Sequence, residues 1–156
     1  MAVKNENLTT LHFERSIDSD IENVFHTMIA EDTYAQWTAS FAAGSHYDGS
    51  WDEGNKIKFI SPNEMGEMNG MLAKVKENKS PEKLVLEYIG IVQNNEEITE
   101  GNEVERWKGG TETYILKEEG GKTLLNIDAD VPTDEQGFFL EAWEKSLISL
   151  KEICEE

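Results

Sequence analysis

The last segment of the chain, residues 133 to 154, carries its apolar side chains at helical spacing. With about 100° of rotation per residue, one broad stripe contains Phe139, Leu140, Trp143, Ser146, Leu147, Leu150, Ile153 and Cys154. The side chains outside the stripe include Phe138, Glu141, Glu144, Lys145, Ile148, Lys151 and Glu152. A helix with so wide an apolar face is stable only when it covers another apolar surface, which the rest of the chain must supply.

Residues 55 to 131 supply that surface, because apolar and polar side chains alternate there with a period of two. This alternation predicts strands, in which successive side chains point to opposite faces of a sheet. Turns interrupt the run at "SPEK" and "EEGGK", and strands joined by short turns pair antiparallel. We interpret "QNNEEITEGNE" as a mobile loop and "VERWKGGTETYILK" as one long strand with a bulge at Gly109 and Gly110.

A strand and two helices precede this run. Alternation in "LTTLHFERSI", residues 8 to 17, predicts the strand. Ser19 and Glu22 have capping-box spacing before a first helix, and Thr133 and Gln136 have it before the last one. A second short helix is predicted in "EDTYAQW", and the turn-rich "AAGSHYDGSWDEGN" follows it. The predicted class is α+β: two short helices after the first strand, and a curved antiparallel sheet of about six to seven strands wrapped around a long C-terminal helix.

The charge balance limits the partners that the chain can have. Its 156 residues include 32 acidic and 14 basic side chains, a formal net charge of −18. Proteins that bind nucleic acid or anionic membranes neutralise phosphate with Lys and Arg, so we expect no nucleic-acid partner and no membrane insertion. The acidity serves solubility or, alternatively, forms a surface for a basic protein partner.

The length and the cysteine content indicate one cytoplasmic domain. The 156 residues suffice to bury a core as a single domain, residues 1 to 156. The first ten residues lack the apolar stretch of a signal peptide, and no apolar run approaches the roughly 20 residues that cross a bilayer. A single cysteine, Cys154, excludes an internal disulfide and is typical of a reducing compartment. We expect a cytoplasmic protein and a monomer.

The order of elements, together with particular residues, resembles the helix-grip fold of the START-like, or Bet v 1-like, superfamily (SRPBCC). Within it, the chain is similar to the family named for the C-terminal domain of the activator of Hsp90 ATPase homologue 1. The resemblance covers almost the whole chain through "FERSID", "IENVFHTM", Trp37, "GSWDEGNKIKF", "GMLAKV", "KLVLEYIG", "GGKTLLNI", Trp143 and "LISLKEICE". Such proteins resemble one another in architecture while serving as lipid or polyketide binders, cyclases or co-chaperones.

The resemblance implies a cavity between the curved sheet and the C-terminal helix that holds a small hydrophobic ligand. The candidate lining residues are Trp37, Phe59, Tyr88, Trp107, Tyr114, Phe139, Trp143 and Leu147. Tyr and Trp suit such a wall because each combines a large apolar body with one hydrogen-bond donor. The alternative is that these side chains are packed core, as an aromatic stripe at helical spacing commonly is.

The sequence contains no motif for a cofactor or a metal, and we expect neither. A Gly-rich phosphate loop, a G-x-S-x-G elbow and an H-E-x-x-H helix are all missing from it. The segment "SHYDGSWDEG" combines His46, Asp48, Asp52 and Glu53 and is the candidate for an acid–base pair at a cavity mouth. A turn has this composition for conformational reasons as well, so no catalytic residue is assigned.

The other polar candidates are expected to be structural. His12 and His26 fall outside the apolar faces of their elements and are expected in solvent. Asp128 and Asp130 are expected on the outer surface, because their apolar neighbours take the inner face. Cys154 lies on the buried stripe, where a lone cysteine behaves as a small hydrophobe.

Three functions remain open at this point. The first is a non-enzymatic domain that binds an apolar or amphipathic, lipid- or polyketide-like molecule beneath the C-terminal helix. The second is a protein-interaction module, similar to the Hsp90 co-chaperone domain, that acts through an acidic surface. The third is a cyclase or hydrolase that uses the segment from His46 to Glu53.

Overall fold

The computed structural model describes residues 5–156. The expectation that the first ten residues are not a signal peptide falls partly on residues 1–4, which lie outside the described residues. The strands are β1 (Leu8–Ile17), β2 (His46–Gly49), β3 (Lys56–Pro62), β4 (Met68–Lys79), β5 (Lys83–Gln93), β6 (Glu96–Ile98), β7 (Thr111–Glu119) and β8 (Lys122–Pro132). The helices are α1 (Ile21–Ile29), α2 (Glu31–Trp37), α3 (Asn102–Glu105) and α4 (Gln136–Cys154), and a 3-10 turn over Thr133–Glu135 precedes α4.

The strands form one antiparallel sheet in the order β1-β8-β7-β5-β4-β3-β2, with β6 beside β5. α1 and α2 follow β1 and lead to β2, at the opposite edge of the sheet. α4 packs mainly against α1, α2, β1 and β8. These features confirm the predicted helix-grip architecture. In residues 5–156 no helix is both long enough and apolar enough to span a membrane.

α4 buries most of the predicted apolar stripe. Its buried residues are Ala142, Trp143, Ser146, Leu147, Leu150 and Cys154. Leu140 differs from the prediction, because its side chain is 46% exposed. It lies at the edge of the stripe, where the flank of the helix turns to solvent. Phe138 and Ile148, outside the stripe, are 56% and 57% exposed.

Neither predicted capping box forms. α1 is capped by Asp20, whose carboxylate accepts a hydrogen bond from the Asn23 amide at 2.8 Å. The Ser19 hydroxyl accepts from the Asn23 side-chain amide at 2.7 Å instead. α4 begins without a side-chain cap, and the Thr133 hydroxyl lies 2.7 Å from that of Thr9. Both predictions were wrong because the helices begin at other residues than the capping boxes require. A shift of one or a few residues in the first residue of a helix changes which side chain faces the free backbone amides of its first turn.

Three segments also differ from their predicted conformation. The predicted loop "QNNEEITEGNE" contains β6 and the start of α3, and the turn-rich "AAGSHYDGSWDEGN" contains β2. The predicted long strand "VERWKGGTETYILK" begins with α3 and a turn, and β7 starts only at Thr111. The two glycines are not a bulge in that strand. Gly109 donates to the Tyr88 carbonyl and Gly110 accepts from the Tyr88 amide, so this turn follows β5 closely.

The structure separates the two aspartates of β8. Asp128 is exposed, as expected, and lies 2.6 Å from the ring of His12. Asp130 is 8% exposed, so the expectation of an ordinary surface residue was wrong. The Asp130 carboxylate accepts hydrogen bonds from the Thr10 hydroxyl and from the Thr111 amide, which satisfy the buried oxygens.

Candidate functional site

A cavity of about 190 Å³ lies between α2, the first half of α4 and the inner face of the sheet. Its apolar walls are Tyr34, Trp37, Phe41, Ala42, Phe59, Ile60, Gly70, Met71, Tyr88, Trp107, Tyr114, Val131, Phe139 and Trp143. Thr38, Ser45, Ser61, Asn69 and Glu112 add polar groups. An apolar protein cavity of about 150 Å³ is large enough to hold benzene, so this one has room for a guest slightly larger than that.

Most of the predicted lining residues surround this cavity. Trp37, Phe59, Tyr88, Trp107, Tyr114, Phe139 and Trp143 line it. Leu147 does not, because it lies one turn further along α4 in the main apolar core, where it is 1% exposed. Ligand binding by these residues stays a prediction.

Aromatic contacts hold the walls in place. Trp107, in the turn after α3, packs edge-on against Tyr88 at 5.3 Å and against Phe139 at 5.4 Å between ring centroids. On the other side of the cavity, the Trp37 indole donates a hydrogen bond to the Met28 carbonyl at 3.1 Å. The rings are therefore fixed by neighbours behind them, and the cavity is preformed.

An ion-pair cluster ties two of these walls together from outside. The Arg106 guanidinium lies within 3 Å of carboxylate oxygens of Glu103, Asp134 and Glu135. Its hydrogen bonds to Glu103, Glu135 and Asp134 raise the Arg106 pKa above its usual value. Since Glu103 belongs to α3 and the other two precede α4, the cluster joins the segment that carries Trp107 to the start of the helix that carries Phe139.

The most polar group in the cavity is the Glu112 carboxyl, which sequence reasoning missed. The Tyr88 hydroxyl donates to its Oε1 at 2.8 Å, and the Tyr114 hydroxyl donates to its Oε2 at 2.6 Å. Burial raises the pKa of Glu112 above its usual value, and the hydrogen bonds from Tyr114 and Tyr88 oppose that rise. Glu112 therefore presents a carboxyl group to an otherwise largely apolar space.

The position of Glu112 follows from the alternation of β7. Glu112 lies two residues before Tyr114 and opposite Leu86 of β5 and Ala129 of β8. Residues two apart on a strand share a face, so the inward placement of Tyr114 also implied an inward Glu112. The sequence therefore contained the signal for an inward Glu112, although Glu112 was not among the predicted lining residues.

The three tyrosines around Glu112 keep their protons at neutral pH. Burial, followed by the charge of Glu112, raises the pKa of Tyr34, Tyr88 and Tyr114 well above the usual value. Tyr34 belongs to α2 and packs edge-on against Trp37 at 5.6 Å between ring centroids. The phenols can therefore donate hydrogen bonds but do not act as bases near pH 7.

The candidate acid–base segment does not reach the cavity. None of His46, Asp48, Asp52 and Glu53 lines it. The His46 ring bonds to the carbonyl of Gly44 at 2.8 Å, and the Glu53 carboxylate accepts from a backbone amide of β4. The segment instead packs Tyr47 and Trp51 against the core, and Asp48, Asp52 and Glu53 are exposed. In the described part of the chain, no three metal-ligating side chains of the His, Cys, Asp or Glu types converge.

A family model described as Activator of Hsp90 ATPase homolog 1-like protein matches residues 18–155 of the sequence. The chain belongs to this family. The match spans all elements from α1 to α4, so the AHSA1-like assignment covers the cavity and its walls. No curated protein matches the sequence significantly.

Solved structures similar to this AHSA1-like chain share its fold. The Aha1 dimer from Colwellia psychrerythraea is 17% identical with a TM-score of 0.65, over 94% of this chain and 96% of that one. The AHSA1-like protein from Aeromonas hydrophila is 15% identical with a TM-score of 0.66, over 92% and 90% of the two chains. CalU16 from Micromonospora echinospora is 17% identical with a TM-score of 0.60, over 90% and 73%. At such identities the likeness establishes the fold alone.

Proposed function

We propose that this AHSA1-like protein binds a small apolar or amphipathic molecule in the cavity beside α4. The observation that supports the proposal is the cavity of about 190 Å³, whose walls include aromatic side chains from α2, α4 and three strands of the sheet. A concave, mainly apolar space with a few polar groups is the usual form of a small-molecule site.

The apolar walls favour a bound apolar guest. Transfer of apolar surface out of water contributes roughly 25 cal/mol per Å², and aromatic side chains supply much of the cavity wall. The polar groups Thr38, Ser45 and Ser61 on the cavity wall suit an amphipathic guest.

Indole proton resonances test the proposal directly. Trp37, Trp107 and Trp143 line the cavity, whereas Trp51 does not. Titration with 2-phenylethanol, an amphipathic molecule slightly larger than benzene, is expected to shift the first three resonances saturably and the fourth much less. Equal shifts at all four resonances would contradict binding in the cavity.

A matched pair of alanines provides the control. Ala42 lines the cavity, and its neighbour Ala43 is exposed and does not. Ala42→Phe is expected to fill part of the space and weaken binding at least tenfold, and Ala43→Phe is expected to leave it unchanged. If both variants bind like the original protein, the molecule sits elsewhere.

A second candidate is a protein-interaction module similar to a co-chaperone. It is supported by the family description, by the formal net charge of −18 and by the exposed Phe138 and Ile148 on the outer side of α4. Addition of the protein to Hsp90 is then expected to raise its ATPase rate, in a manner that salt suppresses. An unchanged rate at saturating protein would remove this candidate.

A cyclase or hydrolase that uses the His46 segment is not proposed. The three histidines of the chain, all among the described residues, lie outside the cavity lining, and the segment from His46 to Glu53 keeps its polar groups at the surface. A catalytic pair would have to reach a bound substrate.

A further inference from the structure

We infer that the ligand of this cavity is a small organic cation, an amine that is protonated at neutral pH and whose ammonium group pairs with Glu112. The inference rests on the proposed binding function and specifies the chemical class of the ligand. Three features carry it: the hydrogen bonds that Glu112 accepts, the lack of a cation beside Glu112 among residues 5–156, and the aromatic walls.

The hydrogen bonds favour an ionised Glu112. Tyr88 and Tyr114 approach different oxygens of its carboxyl group, at 2.8 and 2.6 Å. An ionised carboxylate only accepts hydrogen bonds, whereas a protonated carboxyl must donate one. Two donors at different oxygens therefore favour the ionised form of Glu112, which needs no acceptor for a proton of its own, and each oxygen retains a lone pair for a further donor.

The described part of the chain does not supply a cation for this charge. Among residues 5–156, no Lys, Arg or His lines the cavity, and the hydrogen bonds of the Glu112 carboxylate come from the two tyrosines. A carboxylate removed from water without a countercharge is unfavourable, and a guest with a positive charge relieves that penalty. A single carboxylate is too few ligands for Ca²⁺ or Mg²⁺, so an organic cation fits better than a metal ion.

The walls suit the rest of such a guest. Trp37, Trp107 and Trp143 are within the lining, and tryptophan is the side chain whose ring face attracts cations most strongly. The cavity of about 190 Å³ has room for a phenyl ring with a short aminoalkyl chain. Glu112 and the rings together thus present a negative point charge inside an aromatic cage.

Three probes of nearly equal size and different charge test the inference: 2-phenylethylammonium, 2-phenylethanol and phenylacetate. Their affinities are read from the indole resonances at neutral pH and one fixed ionic strength. We expect the ammonium to bind at least tenfold more tightly than the alcohol, and phenylacetate to bind most weakly. A buried charge pair commonly contributes more than the roughly 1.4 kcal/mol that a tenfold change represents.

Two glutamates of β7 separate the local pair from the overall negative charge of the protein. Glu112→Gln removes the carboxylate in the cavity. Glu119→Gln removes the same charge from an exposed position on the same strand that does not line the cavity. The preference for the ammonium over the alcohol is expected to disappear in the first variant and to persist in the second.

A pH titration of the unmodified protein supports the variants and does not depend on their folding. Tyr34, Tyr88 and Tyr114 face Glu112 from α2, β5 and β7 and stay protonated through the acidic range. Affinity for 2-phenylethylammonium is therefore expected to fall as Glu112 becomes protonated, and affinity for 2-phenylethanol is expected to change little.

The outcomes distinguish the two proposals. If the alcohol binds as tightly as the ammonium, or if Glu112→Gln keeps the preference, the inference is overturned and the binding function stands. If none of the three probes shifts the cavity indoles, the binding function fails, and the inference fails with it.

Discussion

The indole of Trp143 stacks on the ring of Phe13, with 5.7 Å between ring centroids and 29° between the planes. Phe13 belongs to β1, so α4 contacts the sheet directly at this edge. The same indole also lines the cavity, where the Tyr114 ring lies 6.3 Å away. Trp143 is therefore both a core residue and a wall of the site, and the two sequence-based interpretations of it were not exclusive.

The first prediction concerns this double role. Trp143→Ala is expected to lower the free energy of unfolding by about 3–5 kcal/mol, because it removes a large buried side chain from the core. Phe138→Ala, a change in the same helix at a side chain that is 56% exposed, is expected to alter it by less than about 1 kcal/mol. Urea unfolding of the two variants measures the difference, and similar losses would show that α4 does not pack as described.

Most of the fold could be predicted because periodicity records which side chains are buried. The period of two placed Phe59 and Tyr88 with the apolar face of their strands, and the helical period placed Phe139 and Trp143 on the buried side of α4. Such patterns are local, so the spacing of apolar residues within one segment is enough to predict its buried face.

The features that were missed depend on contacts between distant segments. Trp107 is in a turn and not in a strand, because Gly109 and Gly110 bond to the backbone of Tyr88, more than twenty residues away. Asp130 is buried because Thr10 and Thr111, from two other strands, supply its donors. A single sequence does not state which segments meet, so tertiary hydrogen bonds of this kind were not predictable from it.

The second prediction concerns the tyrosine donors of Glu112. Tyr114→Phe removes the hydroxyl that donates to Glu112 at 2.6 Å, and this hydrogen bond lowers the Glu112 pKa. The Glu112 pKa is therefore expected to rise further in the variant, as followed by ¹³C NMR of the carboxyl carbon.

Tyr47 provides the control for that measurement. Its hydroxyl donates to the Ile29 carbonyl at 2.6 Å and not to Glu112. Tyr47→Phe is expected to leave the pKa of Glu112 unchanged. A shift of the same size in both variants would mean that the tyrosine donors do not control the charge of Glu112.

The third prediction concerns the pH dependence of stability. Burial raises the Glu112 pKa above the usual value of 4.5, so between the two values the folded state binds more protons than the unfolded state. Stability from this group therefore falls as the pH rises from 4.5 through the folded pKa. Glu112→Gln is expected to remove that part of the fall, as measured by urea unfolding at a series of pH values.

Glu77, Glu97 and Glu155 titrate in the opposite direction, because hydrogen bonds lower their pKa values. These three glutamates are present in the original protein and in the Glu112→Gln variant. The difference in free energy of unfolding between the two proteins therefore reports on Glu112 alone. A constant difference across the acidic range would contradict the raised pKa.

The fourth prediction contrasts two glycines. A Cβ added at Gly70 of β4 would overlap the carbonyl oxygen of Phe59 in β3, which is backbone and cannot move aside easily. Gly70→Ala is therefore expected to destabilise the fold by about 1–3 kcal/mol. Gly137, in the first turn of α4, has open space around its Cβ position, and Gly137→Ala is expected to stabilise by roughly 0.5–1 kcal/mol. Thermal unfolding distinguishes the signs, and a shift in the same direction for both would contradict the described β3–β4 contact.

The Arg106 cluster has a consequence for the time that a ligand stays bound. It joins the segment of Trp107 to the start of α4, and its members are exposed enough for dissolved ions to screen them, Arg106 itself by 30% and Asp134 by 76%. Salt therefore weakens the link between the Trp107 segment and the start of α4, whether or not the bound ligand is charged. Dissociation from this protein is expected to quicken with ionic strength even for an uncharged guest, so a salt-dependent off-rate alone does not reveal a charged one.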